Sequence, residues 1–355
     1  MEARLNWLVF GAGAIGTYIG GSLILRGHNV VFIDQPEAVS EILEHGLKLN
    51  LRGQEHRIMQ PIIYTTLPGA ISHTSFDVSI FALKSYDTDF ALDLMSPFVD
   101  RIPPILCIQN GVENEAKLRS VFGHDRVIAG TVTSSVRRRA AGNVLLERYR
   151  GIAIENGYPL SPSLEKALFD AGLNAHLYPA GPAMKWSKMI TNLLANASSA
   201  ILDMAPGEIL RHQALYAVEI EQLREAIRVM HAHNIPIIDL PGTPVRTYAW
   251  IVRKLPTWFS RPIISQSAST GRGHKMPSFH IDLHSGRAKS EVDYLNGAIV
   301  RFGTQVNIPT PVNEWLNQTL LGLTNGKLPL DFYSHQLDKY LRELNSFIEN
   351  YQINN

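Results

Sequence analysis

The segment MKWSKMITNLLANASSAIL, Met184–Leu202, separates two halves of this chain that differ in pattern. Within it, Lys188, Asn192 and Asn196 recur every fourth residue. Four residues turn an α-helix through about 400°, so the spacing predicts that all three share one face of a single helix. Apolar residues surround these three on nearly every side of the helix, which indicates a buried helix whose polar groups need partners. We therefore predict a polar wall facing a ligand, with Lys188 as proton donor; a solvated helix face is the alternative.

Upstream of this segment, a glycine-rich turn joins a strand to a helix. Trp7–Phe10 is a short apolar run, GAGAIG follows it, and Val30–Ile33 is a second apolar run after a helical pattern. In this context the glycines permit a tight turn, close backbone approach to a pyrophosphate and close helix–strand packing, and the helix N-terminus attracts phosphate. The residues expected to bind the cofactor are Gly11, Ala12, Gly13, Ala14, Ile15 and Gly16.

An acidic residue, Asp34, ends the second predicted strand. A carboxylate there accepts hydrogen bonds from the ribose hydroxyls of NADH and repels the 2′-phosphate of NADPH. The neighbouring Gln35 supplies no cation to offset that repulsion. Asp34 therefore predicts NADH, unless it serves only as a helix cap before Pro36.

Strand and helix patterns alternate through the N-terminal half, which predicts an α/β fold with a doubly wound, Rossmann-type parallel sheet. We expect Leu47–Leu51, Ile58–Tyr64 and the β-rich stretch from Arg126 to Pro179 to belong to that sheet. The run Arg137–Arg139 is expected to be a solvated edge.

Polar residues follow two of the expected strands. Lys84 comes after Asp77–Leu83, and Asn110 comes after Pro104–Ile108. Ligands of open α/β sheets bind at the carboxyl ends of the strands, so Lys84 and Asn110 are expected at a ligand site.

The C-terminal half carries helical patterns. Residues 1–180 are therefore expected to form the dinucleotide-binding domain, and residues 181–355 an all-helical substrate domain. Ser290 with Asp293 resembles a capping box at a helix start. His231 and His233 do not share a helix face, so no metal site is predicted there. Leu240–Ile281 contains no Asp or Glu but six Lys and Arg residues, which could draw anionic substrates; pairing with carboxylates elsewhere or at a subunit interface is the alternative.

Composition excludes several classes of function. The chain has 355 residues, enough for two domains, and a net charge of +1, which argues against nucleic acid or an anionic membrane as a partner. Its single cysteine, Cys107, rules out an intrachain disulfide and is expected in the core. No run of 18 apolar residues and no secretory signal are seen, so a cytoplasmic protein is expected.

Five motifs, in order along the chain, resemble the ketopantoate reductases (2-dehydropantoate 2-reductases). They are GAGAIG, FALKSYDT, IQNGVEN, KWSKMITNLLAN and PSFHIDL with the later GR and SEVDYLNG. The resemblance extends from about Leu8 to Pro311 and implies reduction of a 2-oxo acid by a nicotinamide cofactor, in pantothenate biosynthesis. It implies NADPH, whereas Asp34 favours NADH.

The resemblance also implies roles for particular residues. Lys188 would protonate the developing alkoxide, and Glu291 would bind the nascent hydroxyl and position Lys188. Asn192, Asn196 and Ser278 would hold the substrate. Asn110 and Lys84 would lie near the cofactor and Lys188, with Asn110 also near the substrate. No metal is expected, and a homodimer is an open expectation.

Three features depart from the family pattern. The family's usual Arg after the second strand is replaced by Asp34–Gln35. One extra residue stands between Arg287 and Glu291. A basic insert at residues 240–276 and a C-terminal extension after about Gly326 are the third departure.

Two alternative functions stay open. One is a related β-hydroxyacid or opine-type dehydrogenase, and the other is a non-catalytic nicotinamide-binding sensor.

Overall fold

The computed structural model describes residues 4–272, 275–286 and 288–354. The chain divides into two compact units. The first contains Met1–Lys185 and Asp239–Thr243, and the second contains Trp186–Ile238 and Pro244–Asn355. The boundary falls inside a helix, close to the division predicted after residue 180.

An eight-stranded sheet forms the centre of the first unit. The strands of this unit are β1 (Asn6–Phe10), β2 (Asn29–Ile33), β3 (Leu47–Leu51), β4 (Gln54–Ile58), β5 (Ile62–Tyr64), β6 (Val78–Phe81), β7 (Ile105–Cys107), β8 (Val127–Val132), β9 (Ser135–Ala140), β10 (Asn143–Arg148), β11 (Ile152–Glu155) and β12 (Ala175–Tyr178). The large sheet has the order β12-β11-β8-β7-β6-β1-β2-β5. All its neighbours are parallel except β11 and β8. The Rossmann-type α/β prediction is confirmed.

Helices cover this sheet on both faces. They are α1 (Ala14–Ile24), α2 (Pro36–His45), α3 (Leu67–His73), α4 (Thr88–Met95), α5 (Asn114–Phe122) and α6 (Ser161–Leu168). The next helix in the chain, α7 (Gly181–Leu193), contains the boundary between the units. Successive side chains of a strand point to opposite faces. Accordingly, Trp7 and Val9 of β1 belong to one buried cluster, while Leu8 and Phe10 belong to another. Cys107 in β7 is fully buried, which confirms it as a core residue.

A second, four-stranded sheet was not predicted. Its order is β4-β3-β10-β9, so Leu47–Leu51 and part of the β-rich stretch lie outside the main sheet. The predicted strand Ile58–Tyr64 is wrong as one element, because β4 ends at Ile58 and β5 begins at Ile62. Alternation shows that a segment is extended but not which strand it pairs with. Arg137–Arg139 lie exposed on edge strand β9, as expected.

In its described residues, the second unit consists of helices joined by turns and loops, with no β-strand. Its helices after α7 are α8 (Asn196–Leu202), α9 (Pro206–Arg211), α10 (Gln213–Ala232), α11 (Val245–Lys254), α12 (Thr257–Arg272), α13 (Ser278–His284), α14 (Val292–Gln305), α15 (Pro311–Thr324) and α16 (Leu337–Asn354). Among the described residues, no helix combines the length and the apolar character needed to cross a membrane.

The prediction of one helix over Met184–Leu202 is wrong. Helix α7 ends at Leu193 and α8 begins at Asn196, with Ala195 between them in the left-handed conformation at φ 53°. The cause lies in Glu219 of α10. Its carboxylate accepts the Ala195 backbone N–H at 2.5 Å and the Ser198 hydroxyl, so it caps the N-terminus of a new helix. The continuous face predicted for all three polar residues therefore holds only for Lys188 and Asn192.

Candidate functional site

The glycine-rich loop of the first unit provides a cradle for phosphate. Gly11, at φ 91°, makes the turn after β1, and its N–H donates to the Ile33 carbonyl at 2.9 Å. A Cβ at Gly16 would lie 1.8 Å from the Gly11 carbonyl oxygen, so only glycine fits there. A Cβ at Gly13 would meet nothing within 4 Å, so the loop faces open space at the N-terminus of α1. This geometry fits the pyrophosphate of a dinucleotide.

Asp34 lies beside this loop. Its Oδ2 accepts the Ala12 N–H at 2.6 Å, and its Oδ1 accepts the Gln35 N–H at 2.7 Å. The N-cap of α2 is Gln35, without a side-chain cap bond, so the carboxylate of Asp34 does not cap that helix. Each carboxylate oxygen has a further lone pair. Asp34 can therefore brace the loop and still accept ribose hydroxyls.

The polar residues that follow β6 and β7 lie together at the carboxyl ends of these two neighbouring strands. Gln109 Nε2 donates to the Leu83 carbonyl at 3.1 Å, and Ser85 Oγ donates to the Asn110 carbonyl at 2.9 Å. Lys84, which is half-buried, immediately precedes Ser85. These bonds tie the two strand ends together and bring Lys84 and Asn110 to the same part of the unit, where ligands of such sheets bind.

Lys185 contacts residues beside these strand ends, and it was not predicted from the sequence as a residue of interest. Its Nζ lies 2.8 Å from Glu115 Oε1, donates to the Gln109 carbonyl, and lies 3.3 Å from the Gly130 carbonyl. Lys185 and Glu115 are both almost fully buried. Because a buried charge needs such partners, Lys185 is a structural residue that joins the end of β7 and the middle of β8 to α5. Only the apolar positions around it could have suggested burial.

In the second unit, Lys188 and Asn192 lie one turn apart on α7, both half-buried. Their spacing places them on one helix face. Both make further polar contacts. Of the three residues predicted to form one polar face, Lys188 and Asn192 therefore do so on α7, and Asn196 lies beyond the end of that helix.

Asn196 reaches the same unit's Ser278, although the helix breaks before it. The buried Asn196 accepts the Phe279 N–H on Oδ1 at 3.1 Å, and its Nδ2 donates to Ser278 Oγ at 3.4 Å. The backbone N–H fixes the orientation of the amide. Ser278, which is exposed, thus receives a hydrogen bond, and a hydroxyl that accepts one bond can still donate its own proton to another acceptor. The prediction that the two residues share a site is consistent with this contact.

Glu291 is buried and forms the N-cap of α14. The predicted capping box is wrong: Asp293 Oδ1 instead accepts from Arg301 at 3.1 Å and from Asn317 at 3.2 Å, while Ser290 Oγ accepts the Val292 N–H at 3.2 Å. Arg287, from which the extra residue was counted, lies outside the described residues.

The fold and the glycine loop together define a Rossmann-type, nicotinamide-dependent oxidoreductase with a helical second unit. The family model described as ketopantoate reductase PanE/ApbA matches residues 7–157, and the model of that family's C-terminal part matches residues 182–324. The chain therefore belongs to the ketopantoate reductase PanE/ApbA family.

Individual relatives agree with this assignment. The chain is 27% identical over 310 residues to 2-dehydropantoate 2-reductase of Pyrococcus horikoshii, covering 86% of this chain and 93% of the relative. It is 29% identical over 328 residues to the Pyrococcus abyssi enzyme of the same name, covering 91% and 98%.

Solved structures share the fold. A PanE/ApbA family ketopantoate reductase from Ralstonia eutropha JMP134 aligns with a TM-score of 0.76 and 26% identity, over 90% of this chain and 99% of that one. D-mandelate dehydrogenase in complex with NADH aligns with a TM-score of 0.72 and 22% identity, over 91% and 99%. At that identity the second likeness concerns the fold alone.

Proposed function

We propose that this chain reduces a 2-oxo acid to a 2-hydroxy acid with a reduced nicotinamide cofactor, and that the 2-oxo acid is 2-dehydropantoate. The observation that carries the proposal is a set of polar residues in the second unit: Lys188 with Asn192 on α7, and Asn196 bound to Ser278. They occur in a chain of the ketopantoate reductase family. A cation and fixed hydrogen-bond donors are what the reduction of a charged oxo acid needs.

The cofactor is held by the first unit in this proposal. The backbone of Gly11–Gly16 receives the pyrophosphate, Asp34 accepts the ribose hydroxyls, and Lys84 and Asn110 approach the nicotinamide half. When bound, the cofactor supplies the hydride that adds to C2 of the substrate.

The second unit supplies the proton and the substrate contacts. Lys188 donates its proton to the C2 oxygen as negative charge develops there, which yields the hydroxyl, and then regains a proton from water. Glu291 accepts a hydrogen bond from the new hydroxyl and positions Lys188. Asn192, Asn196 and Ser278 hold the carboxylate and the remote hydroxyl of the substrate, with Ser278 donating the proton that its bond to Asn196 leaves available.

NADH is the cofactor that we favour, because Asp34 places a carboxylate where NADPH carries its 2′-phosphate. The family resemblance favours NADPH instead. The cytoplasm as the compartment and a homodimeric assembly stay predictions.

The decisive experiment follows cofactor oxidation across a panel of 2-oxo acids that includes 2-dehydropantoate, each with NADH and with NADPH. We expect 2-dehydropantoate to give the highest kcat/KM, and its product to be pantoate. A higher kcat/KM for an unrelated 2-oxo acid would assign the chain to a different substrate within the same reaction. Cofactor binding without turnover of any member would favour a sensor and contradict the proposed enzyme.

A further inference from the structure

Three potential metal ligands converge in the second unit, on the side chains of Asp203, His280 and His284. One ligand atom from each lies within 4.8 Å of the other two. His280 Nε2 is 2.6 Å from Asp203 Oδ1, and His284 Nε2 is 3.9 Å from the same oxygen. The two imidazoles are stacked, with ring centroids 4.1 Å apart.

The backbone explains why these groups meet. His280 and His284 stand four residues apart on α13, so they share one helix face. Asp203 directly follows α8 and is held at φ 52°, a conformation that costs most residues energy but that Asp and Asn tolerate. The two helices are packed together through the bonds of Asn196 to Ser278 and Phe279. The C-terminal end of α8 and one face of α13 therefore bring the three ligands together.

We propose that Asp203, His280 and His284 bind a divalent transition-metal ion of the zinc type, with a water molecule at the fourth position. Two imidazoles and a carboxylate are a donor set typical of Zn²⁺, and Mg²⁺ or Ca²⁺ would instead require mainly oxygen ligands. Around a tetrahedral ion with bonds of about 2.0–2.1 Å, the ligand atoms lie about 3.3 Å apart. His284 must then approach Asp203 and His280 must retreat from it, each by less than about 1 Å. The two stacked rings must also turn so that a nitrogen of each points at the ion, and rotation about the side-chain torsions supplies both changes.

The proposed ion lies at the opposite end of α8 from Asn196, while its ligand His280 stands two residues after Ser278 on α13. Asp203 is separated from Asn196 by the length of α8, about 10 Å for a seven-residue helix. An ion there would fasten α8 to α13 and so stabilise the two helices that carry Asn196 and Ser278. Such a role is structural, and it can be tested without measuring turnover.

The test uses the full-length chain, without a histidine tag and freed of metal by a chelator. Titration calorimetry with ZnCl2 should show one ion bound per chain, and Co²⁺ should give the visible absorption of a tetrahedral site. Zinc should also raise Tm in a concentration-dependent manner, because it binds the folded state. No binding by the wild-type chain would overturn the proposal.

Single substitutions assign the ligands. His284→Gln, His280→Gln and Asp203→Asn should each weaken zinc binding at least about tenfold and reduce the Tm shift at a given zinc concentration. Asn suits the positive φ at position 203, so Asp203→Asn is expected to fold. The exposed His231 on α10 provides the control, and His231→Gln should bind zinc like the wild type. Equal zinc affinity in the wild type and in all three ligand variants would place the ion elsewhere and refute the site.

Discussion

Lys185 and Lys188 stand three residues apart on helix α7, but their surroundings differ. Lys185 is 4% exposed and is bound by the Glu115 carboxylate and two backbone carbonyls of the first unit. Lys188 is half-buried and shares a helix face with Asn192 in the second unit. The first lysine is satisfied by the fold, whereas the second carries our proposed proton transfer. Residue type and spacing therefore do not separate structural charges from functional ones, whereas the contacts of each charge do.

The largest expected effect is on stability, from removal of Lys185. Lys185→Met leaves Glu115 buried without its partner, which typically costs about 3–5 kcal/mol. We expect the free energy of unfolding, measured with urea, to fall by that amount. Lys117→Met is the matched control, because Lys117 pairs with Asp89 at the same 2.8 Å distance on the surface, where a pair is worth about 1 kcal/mol or less.

A double variant makes this prediction specific. Lys185→Met with Glu115→Leu removes both charges, so it should recover much of the lost stability. If Lys185→Met cost no more than Lys117→Met, the buried pair would not have the structural role that we assign to it.

Removal of Lys188 should act on turnover instead. Lys188→Ala removes the proposed proton donor, and kcat should fall by a factor of about 10² or more, the range for losing a general acid. Cofactor affinity and the urea midpoint should stay near those of the wild type. Lys188→Arg keeps the positive charge but is a poor proton donor, so it should not restore turnover. Near-wild-type turnover in Lys188→Ala would remove this lysine from the mechanism.

Features that depend on residues close in the chain were predicted from the sequence, whereas contacts between distant residues were not, and the reason is physical. The glycine loop, α1 and the parallel strands depend on residues close in the chain, and GAGAIG contains all that its turn requires. The break between α7 and α8 depends on Glu219, which caps Ala195 from 24 positions away. The partners of Lys185 lie 55 to 76 positions away. Spacing along one segment carries no information about such contacts, so neither the break nor the buried pair was predicted.

Asp34 is an intermediate case, because its carboxylate contacts the fold and is proposed to contact the cofactor. Asp34→Ala should shift the ratio of kcat/KM values towards NADPH by about tenfold, since it removes a charge that repels the 2′-phosphate. Asp34→Asn is the matched variant, because its side-chain oxygen can still accept the Ala12 N–H. The same shift in both variants would assign the preference to charge. If neither variant shifted it, Asp34 would only brace the loop.

Glu225 of α10 is a buried acidic residue whose carboxylate is bound by N–H donors rather than by a cation. Its carboxylate accepts the Val312 and Asn313 N–H groups at 2.9 Å each and Asn313 Nδ2 at 2.7 Å. Burial nevertheless raises the pKa of Glu225 from 4.5 to about 7. Between these values the folded state binds a proton that the unfolded state does not. The stability gained from that proton is therefore lost as the pH rises through 7.

The free energy of unfolding of the wild type should fall by about 1 kcal/mol from pH 6 to pH 8 through this group. Glu225→Gln cannot titrate, so its urea-derived stability should lack this part of the decrease. Glu349→Gln, at an exposed position on α16, should keep the wild-type pH dependence. Parallel profiles for the wild type and Glu225→Gln would mean that the N–H donors keep this carboxylate ionised throughout.

The smallest expected effect concerns exposed charges, which act through their field. Arg246 and Arg253 of α11 line a groove with Trp250 and Lys254, in the acid-free stretch of the chain. If they steer the anionic substrate, Arg246→Glu with Arg253→Glu should raise KM about threefold or more at low salt, and much less at 1 M salt, where the screening length falls to about 3 Å. Turnover at saturating substrate should not change.

Net charge alone could produce the same salt dependence, so the control must change it equally. Arg138→Glu with Arg139→Glu reverses two exposed charges on edge strand β9 and should leave KM near the wild-type value. A rise in KM for the α11 variant alone locates the attraction at the groove. Equal rises in both variants would assign it to overall charge, and an unchanged KM at low salt would leave the α11 cations with a structural role. Only a rise in KM for the α11 variant alone would show that Arg246 and Arg253 act on a ligand, as we propose for Lys188.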